Sequence, residues 1–322
     1  MTAVLQPPLL RLAIARRDEI ATDIHAFELR DAAGAALPSF SAGSHIGVRT
    51  ADGNVRKYSL TNDPEESDRY VIAVKRESAG RGGSAKLVDA HRVGDVLDCS
   101  APRNDFALAE RPTQFIFIAG GIGITPLMSM IRHLESSARA RYRLYYLTRD
   151  AAATAFHDEL SSPDRQGRVV IHHDGGDPAR AFDLWPVLER PTPAHVYCCG
   201  PRPLLEAVRD MTGHWSASAI HFESFVDAAA LHVAADRPFR VRLAQSGATI
   251  DVAADQSILD ALRAAGFDAP SSCEAGTCGT CRTRVLSGDV DHRDLVLSPD
   301  ERTDSMMICV SRARGGELVI DR

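Results

Sequence analysis

The chain has 322 residues, 44% of them hydrophobic and 25% charged, with a net charge of −6. That length exceeds one ordinary domain and implies two or three, and the acidic balance argues against a general nucleic-acid binder. No run of about 18 apolar residues occurs, so no transmembrane helix is expected; the first 17 residues, broken by Pro7 and Pro8, do not read as a secretory signal, which points to the cytoplasm and away from a membrane.

The first hundred residues read as short strands. Leu10 to Leu29 alternates apolar and polar positions, Asp31-Ala-Ala-Gly34 is a turn, Gly43 to Arg49 is a further strand, and Asp52-Gly53 marks a hairpin. Frequent turns between short strands predict an antiparallel β-barrel. Within it, Arg56-Lys-Tyr-Ser59 alternates on one strand, so Arg56 and Tyr58 share a face. A ring beside a cation and a hydroxyl suits a flat, phosphate-bearing ligand, whereas a strand tyrosine alone would be plain packing. Strand Val71 to Glu77 then runs into Gly80-Arg81-Gly82-Gly83-Ser84 and a helix over Ala85 to Asp89. A glycine turn opening a helix presents backbone N–H groups and a positive dipole end to an anion. With Arg56 and Tyr58 upstream, the combination favours a flavin phosphate site over a flexible loop.

After Pro112 the pattern changes. Phe115-Ile-Phe-Ile-Ala-Gly120 is a continuous apolar run, as in a buried parallel strand, followed by Gly120-Gly121-Ile-Gly123-Ile-Thr125-Pro126 and a helix from Leu127 to Glu135. Strand, glycine turn and helix place N–H groups and a hydroxyl where a pyrophosphate can sit, although the G-x-G-x-x-G pattern is absent. Further strands over Tyr142 to Thr148, Val169 to His173 and His195 to Cys199 alternate with helices over Thr154 to Leu160 and Pro203 to Met211. This predicts an open α/β sheet with ligands at the strand C-termini, where Gly120 and Cys199-Gly200-Pro201 both fall. Cys199 is a candidate nucleophile, but no base is spelled out nearby and a buried thiol is the simpler reading. His172 and His173 face opposite sides of one strand and do not read as a shared metal site. Arg149 could pair a 2′-phosphate while Asp150 would repel one, so the residues alone leave NADH and NADPH open.

Ser224 to Arg237 is alanine-rich and reads as a linker. Beyond it, Phe239–Ala244 and Thr249–Val252 form a hairpin about Gly247, and Ser257 caps a short helix ending at Gly266. Then comes Cys273-Glu-Ala-Gly-Thr-Cys278-Gly-Thr-Cys281, with Cys309 further on. C-x4-C-x2-C plus a distant fourth cysteine is the plant-type ferredoxin spacing for a 2Fe-2S cluster. Gly276 and Gly279 allow the tight backbone such a loop needs, and the small neighbours let N–H groups reach the sulfurs. A structural zinc site usually takes two C-x2-C pairs, and only one is present. Cys99, Cys198 and Cys199 make no disulfide framework. Met306-Met-Ile-Cys309 would wall the cluster from water.

Taken together, Arg56-Lys-Tyr-Ser59, Gly80-Arg-Gly-Gly-Ser84, Gly120-Gly-Ile-Gly-Ile-Thr-Pro126, Cys199-Gly-Pro201 and His221-Phe-Glu-Ser-Phe225 resemble the ferredoxin–NADP reductase superfamily. The order flavin, pyridine nucleotide, iron–sulfur resembles the phthalate dioxygenase reductases within it, across the whole chain. Vanillate demethylase and phenoxybenzoate dioxygenase reductases share that architecture. The resemblance implies a multidomain protein: an antiparallel β-barrel flavin domain over 1–110, an α/β open parallel-sheet nucleotide domain over 111–225, a linker over 226–236 and an α+β, β-grasp ferredoxin domain over 237–322. It implies FMN, a 2Fe-2S cluster on Cys273, Cys278, Cys281 and Cys309, and NADH as donor. A terminal Rieske-type oxygenase would be the partner of a monomeric reductase serving aromatic hydrocarbon catabolism. Arg56, Lys57, Tyr58 and Ser59 would hold the flavin with Gly80 to Ser84, and Val74 and Lys75 would lie along it. Gly120, Gly121, Gly123, Pro126, Thr148, Arg149, Asp150, Gly200 and Pro201 would hold the nucleotide. Thr125, Cys199 and Phe225 would stand nearest the reacting rings. A redox sensor that reports through partner binding, and a zinc-stabilised binding module, are the alternatives from other functional classes.

Overall fold

The computed structural model describes residues 9–50, 53–77, 83–225, 232–233 and 235–322. They fall into two compact units, Met1–Gly200 and Pro201–Arg322.

In the first unit, strands β1 (Leu10–Ala21), β2 (Ile24–Asp31), β3 (His45–Arg49), β4 (Val55–Ser59) and β5 (Tyr70–Lys75) precede helix α1 (Gly83–Ala90) and strand β6 (Val96–Cys99). They form a six-stranded sheet ordered β4-β3-β6-β1-β2-β5. Its strand pairs are antiparallel, and Leu60, just beyond β4, bridges Ile72 of β5, so the two edges meet. This is the expected barrel. Its inside is filled by the inward half of the alternating strands, Leu12, Ile14, Phe27, Leu29, Ile46, Val48 and Ile72 among them, each contributing roughly 1.5–3 kcal/mol on burial.

The chain continues through β7 (Gln114–Gly120), α2 (Ile124–Ser137), β8 (Arg141–Thr148), α3 (His157–Leu160), β9 (Val169–His173), α4 (Trp185–Leu188) and β10 (His195–Cys199). The strands run parallel in the order β10-β7-β8-β9. The apolar run of β7 is explained by its central place: Phe117, Ile118 and Ala119 are fully buried. The helix expected from Thr154 is shorter than its pattern suggests. Phe156 adopts φ +57, and the Thr154 hydroxyl donates to the Asp150 carbonyl at 2.8 Å, so a turn occupies the first residues and α3 starts only at His157. Helix α2 is longer at both ends than expected, with Pro126 tolerated in its first turn, where N–H groups have no intrahelical partner.

Barrel and parallel sheet are packed as one body. Ile24, Ala42, Ala73 and Phe106 share a core with Phe117, Leu127 and Ile131. A Cβ on Gly43 (φ +93) would overlap the Phe106 carbonyl and lie 2.9 Å from the Met130 methyl. Arg132 on α2 donates to the Thr61 carbonyl at 2.6 Å and pairs with Glu159.

The second unit holds α5 (Arg202–Met211), β11 (Ile220–Glu223), β12 (Phe239–Leu243), β13 (Thr249–Val252), α6 (Ile258–Ala264), β14 (Arg282–Ser287), β15 (Val290–Asp291), β16 (Ser305–Met307), β17 (Arg312–Ala313) and β18 (Glu317–Ile320). A mixed sheet ordered β13-β12-β18-β14-β16 carries α6 on a core of Val241, Val252, Leu259, Leu262, Met306 and Leu318; β12 and β18 are its parallel pair. The Ser257 hydroxyl caps α6 by accepting the Asp260 N–H at 3.1 Å, and Gly247 (φ +72) turns the first hairpin. No helix among the described residues is long and apolar enough to cross a membrane.

Candidate functional site

Two centres form, one in each unit. In the first, strand alternation sets the barrel motif. Lys57 is turned outward, 3.8 Å from Asp105, while Arg56 and Tyr58 are half-buried and Ser59 is buried. Gly83, the first residue of α1, is packed against Arg56: an added Cβ would stand 3.0 Å from Nε and 3.3 Å from Cγ. The glycine turn and the strand motif, about 25 residues apart in sequence, therefore meet, and glycine is what lets the guanidinium lie over the start of the helix. The Ser59 hydroxyl is buried and has no hydrogen-bond partner among the described residues, which is costly unless a ligand atom completes it. Burial pushes the Tyr58 phenol up to about 12, with Arg56 opposing, so it stays a neutral hydrogen-bonding group. Cation, helix N–H groups, aromatic ring and unpartnered hydroxyl fit a phosphorylated flavin. The Ser84 hydroxyl accepts the Glu77 N–H at 3.1 Å. Lys75 pairs with Glu77 at 2.6 Å. Val74 is sealed in the barrel core and has only its backbone to offer. Gly80, Arg81 and Gly82 lie outside the described residues.

The strand-end motifs also converge. A Cβ on Gly123 would overlap the carbonyl of Cys199 and come within 2.7 Å of the Gly200 nitrogen, so the turn after β7 and the end of β10 are in backbone contact. Gly121 holds φ +53. Gly120 closes β7, and the Thr125 hydroxyl, almost fully buried, donates to the Ile122 carbonyl at 3.0 Å. Cys199 has no exposed side-chain surface; it shapes the strand end and is not placed as a nucleophile. Thr148 is engaged with Thr154 at 2.8 Å and His173 at 2.9 Å, fixing the β8 end from which the exposed Arg149 and Asp150 project. His172 instead meets the Arg180 carbonyl at 2.7 Å, so the adjacent histidines have separate partners. Pro201 and Phe225 are exposed in the second unit.

The second centre is the cysteine loop. The Sγ atoms of Cys281 and Cys309 are 3.1 Å apart and buried. Cys278 Sγ accepts the Cys273 N–H at 3.4 Å, and Cys273 Sγ accepts the N–H groups of Ala275 and Thr277 at 3.4 Å. The four thiols thus form two pairs. Among the described residues no three His, Cys, Asp or Glu side chains are set around a single ion; two thiols for each of two irons is the arrangement a 2Fe-2S cluster requires. Cys278 is drawn down to about 5, first by the hydrogen bond from Cys273, whose own thiol is pushed up. Cys281 is likewise lowered by Cys309, which is raised. Iron would bind both members of each pair as thiolates. Gly276 (φ +73) closes the loop so tightly that a Cβ would lie 2.7 Å from Val310 and 3.1 Å from Asp294 Cα. Met306, Met307 and Ile308 are buried, with Met307 Sδ 3.9 Å from Cys281 Sγ, the apolar wall expected.

One group escaped the sequence reading. Asp236, inside the segment read as linker, accepts two hydrogen bonds from Arg293, at 2.9 and 2.5 Å, and lies 3.5 Å from Arg312. The dense charge of Asp291-His-Arg-Asp294 was the available signal.

Comparison with known proteins agrees with this geometry. Residues 241–314 match the family of 2Fe-2S iron-sulfur cluster binding domains, and residues 11–108 match the oxidoreductase FAD-binding domain. The chain is 52% identical to a phthalate dioxygenase reductase of Burkholderia cepacia over 100% of both chains. It is 54% identical to the phthalate 4,5-dioxygenase oxygenase reductase subunit of Pseudomonas putida over 96% of both. A solved phthalate dioxygenase reductase, described as a modular structure for electron transfer from pyridine nucleotides to [2Fe-2S], superposes with a TM-score of 0.71, 51% identity and 98% coverage of both chains.

Proposed function

The chain belongs to the phthalate dioxygenase reductase family, oxidoreductases that carry electrons to an oxygenase, and from that premise we propose that it takes them from NADH through FMN and a 2Fe-2S cluster to a Rieske-type, ring-hydroxylating oxygenase. The observation that supports this most directly is the pairing of two fitted centres on one chain: Arg56 against Gly83 beside the unpartnered Ser59 hydroxyl, and four thiols in two pairs around the Gly276 turn.

When bound, flavin and cluster together convert the electron pair of a hydride into single electrons. The chain's own residues bind and orient. Arg56 and the N–H groups opening α1 would hold the flavin phosphate, Ser59 would complete a hydrogen bond to the flavin, and Tyr58 would pack on it. Lys75 and the Val74 backbone would lie along its length. Gly120, Gly121 and Gly123 give a ligand close access to the N–H groups at the start of α2, and Pro126 leaves that turn unobstructed. Thr125 sits at that helix start, Cys199 and Gly200 shape the opposite wall, and Pro201 begins the exit from the motif. Thr148 fixes the strand end from which Asp150 would favour free ribose hydroxyls and Arg149 would lie along the nucleotide. Phe225 would cover the flavin until nicotinamide displaces it. Cys273 and Cys278 would ligate one iron, Cys281 and Cys309 the other.

In this reading the flavin domain covers 1–110, the nucleotide domain 111–225, the linker 226–236 and the ferredoxin domain 237–322, and the protein works as a cytoplasmic monomer. The identity to phthalate reductases favours a phthalate-type oxygenase over the partners of the phenoxybenzoate (45%) and vanillate (38%) relatives. Mass analysis of the acid-released flavin tests the cofactor: FMN is expected, and FAD would overturn it. Steady-state comparison of NADH with NADPH tests the donor, and a higher kcat/KM for NADPH would reverse that assignment. A redox sensor would show no sustained NADH turnover with an artificial acceptor.

A further inference from the structure

We propose that Arg263 is a positioning residue for the iron–sulfur cluster: from the end of α6 it holds Glu274 in a left-handed bend, and that bend aims the Ala275 N–H at the Cys273 sulfur. The proposal rests on the reading that Cys273, Cys278, Cys281 and Cys309 hold the cluster, and every residue it uses lies in the second unit.

Glu274 follows the first cysteine of the loop and carries φ +55. A residue with a side chain rarely adopts that backbone unless its surroundings impose it, and such outliers collect at functional sites. The surroundings here are explicit. Arg263 Nη2 donates to the Glu274 carboxylate at 2.8 Å and also to the Ser271 hydroxyl. The Ser271 hydroxyl donates in turn to the same Glu274 oxygen at 2.9 Å. The three side chains close a ring whose two loop members, Ser271 and Glu274, bracket Cys273. The peptide joining Glu274 to Ala275 turns with the Glu274 backbone, so the bend decides where the Ala275 N–H points. It points at Cys273 Sγ at 3.4 Å, beside the Thr277 N–H at the same distance. N–H groups aimed at cluster sulfurs help set the reduction potential.

Helix α6 is suited to carry this hold. Ile258, Leu259, Ala261 and Leu262 are buried in the core of the unit, so Arg263 stands on a fixed base. The first turn of the same helix reaches the other thiol pair: the Leu259 N–H donates to the Ile308 carbonyl at 3.0 Å, next to Cys309. One short helix therefore bonds to the chain beside Cys309 at its start and to the chain beside Cys273 at its end. The Arg263 and Glu274 side chains are each 43% exposed, and an exposed ion pair adds little to overall stability. Its loss is therefore local: the fold stays, and the turn around Cys273 loosens.

The experiment uses the full chain loaded with flavin and cluster. It follows iron release to an excess of chelator, the EPR signal of the reduced cluster and the cluster's midpoint potential. Arg263→Ala should fold and load with iron, then release it roughly 5–30-fold faster than wild type, the weight of one left-handed residue. Its midpoint should be more negative, because an N–H dipole that favoured the added electron has turned away, and its EPR signal should broaden. Arg263→Lys, which keeps the charge but not the planar fork, should fall between the two. The decisive comparison adds a second change to Arg263→Ala. Glu274→Gly lets the bend form at no steric cost and should bring release and midpoint back toward wild type. Glu274→Ala removes the same charge but keeps the strain, and should leave both defects in place. Wild-type iron release in Arg263→Ala, or a glycine that recovers no more than the alanine, would overturn the proposal. A wild-type protein that holds no iron after incubation with ferrous iron and sulfide would remove the cluster reading, and the proposal with it.

Discussion

The two centres differ in how they are built. The proposed cluster site would draw three of its four ligands from nine consecutive residues, Cys273 to Cys281, and its fourth from Cys309 beside a buried Met-rich wall. The site proposed for flavin and nucleotide is assembled from strand ends and turns spread over more than 140 residues, with Arg56 meeting Gly83 and Gly123 meeting Cys199. Covalent ligation concentrates recognition in a few side chains that have no substitute, whereas a flavin or nucleotide is held by many weak contacts, a good part of them backbone. Damage to one centre should therefore be all-or-none and damage to the other graded.

The largest effect expected is at a cluster cysteine. Cys278→Ser should abolish cytochrome c and oxygenase reduction while leaving NADH-to-ferricyanide turnover, measured side by side on the same preparation. Next is Gly276→Ala. The left-handed backbone costs alanine about 1–2 kcal/mol in itself, and the new Cβ would press into Val310 at 2.7 Å; iron per chain should fall well below wild type while flavin content holds. Graded behaviour is expected in the barrel. Arg56→Gln should weaken flavin binding roughly 10–100-fold, the worth of a charge-assisted hydrogen bond, and Ser59→Ala about 5–10-fold, both read by flavin fluorescence titration with iron content unchanged. All-or-none loss at Ser59, or graded loss at Cys278, would break the contrast.

The smallest effect separates the units by pH. Burial, aided by Lys57 and Arg103 and opposed by Asp105, pulls His45 of the barrel down to about 4 from an ordinary 6.5. A depressed histidine favours the fold while neutral, so its contribution is complete above about pH 6.5 and is lost as pH falls through about 4. In the second unit the guanidinium of Arg293 holds Asp236 well below the usual carboxylate range, so that clamp keeps its charge over the same window. Thermal unfolding followed by flavin release should weaken between pH 6.5 and 4, and His45→Gln should flatten that slope.

The same contrast explains what was legible in the sequence. Four cysteines at that spacing have few other uses, so the 2Fe-2S domain over residues 241–314 could be read outright. The barrel and parallel sheet were readable because period-two alternation and the Phe115–Gly120 run reflect burial directly. The turn at Phe156 was not, because a positive φ in a phenylalanine follows from tertiary hydrogen bonds at Thr148 and Thr154 rather than from local preference. Val74 and Cys199 were placed at the cofactors by motif, yet both side chains are sealed inside, since a motif records position along the chain and not the direction of a side chain. The Asp236–Arg293 grip joins residues 57 apart, and no local pattern announces a pairing at that separation.

The most direct test of the account is the anaerobic visible spectrum of the purified protein before and after NADH. The account expects flavin bands over a broad iron–sulfur shoulder, both bleaching, with the shoulder alone missing in Cys278→Ser. A wild-type protein whose flavin bleaches while the iron–sulfur absorbance stays untouched would contradict an electron path that joins the two centres.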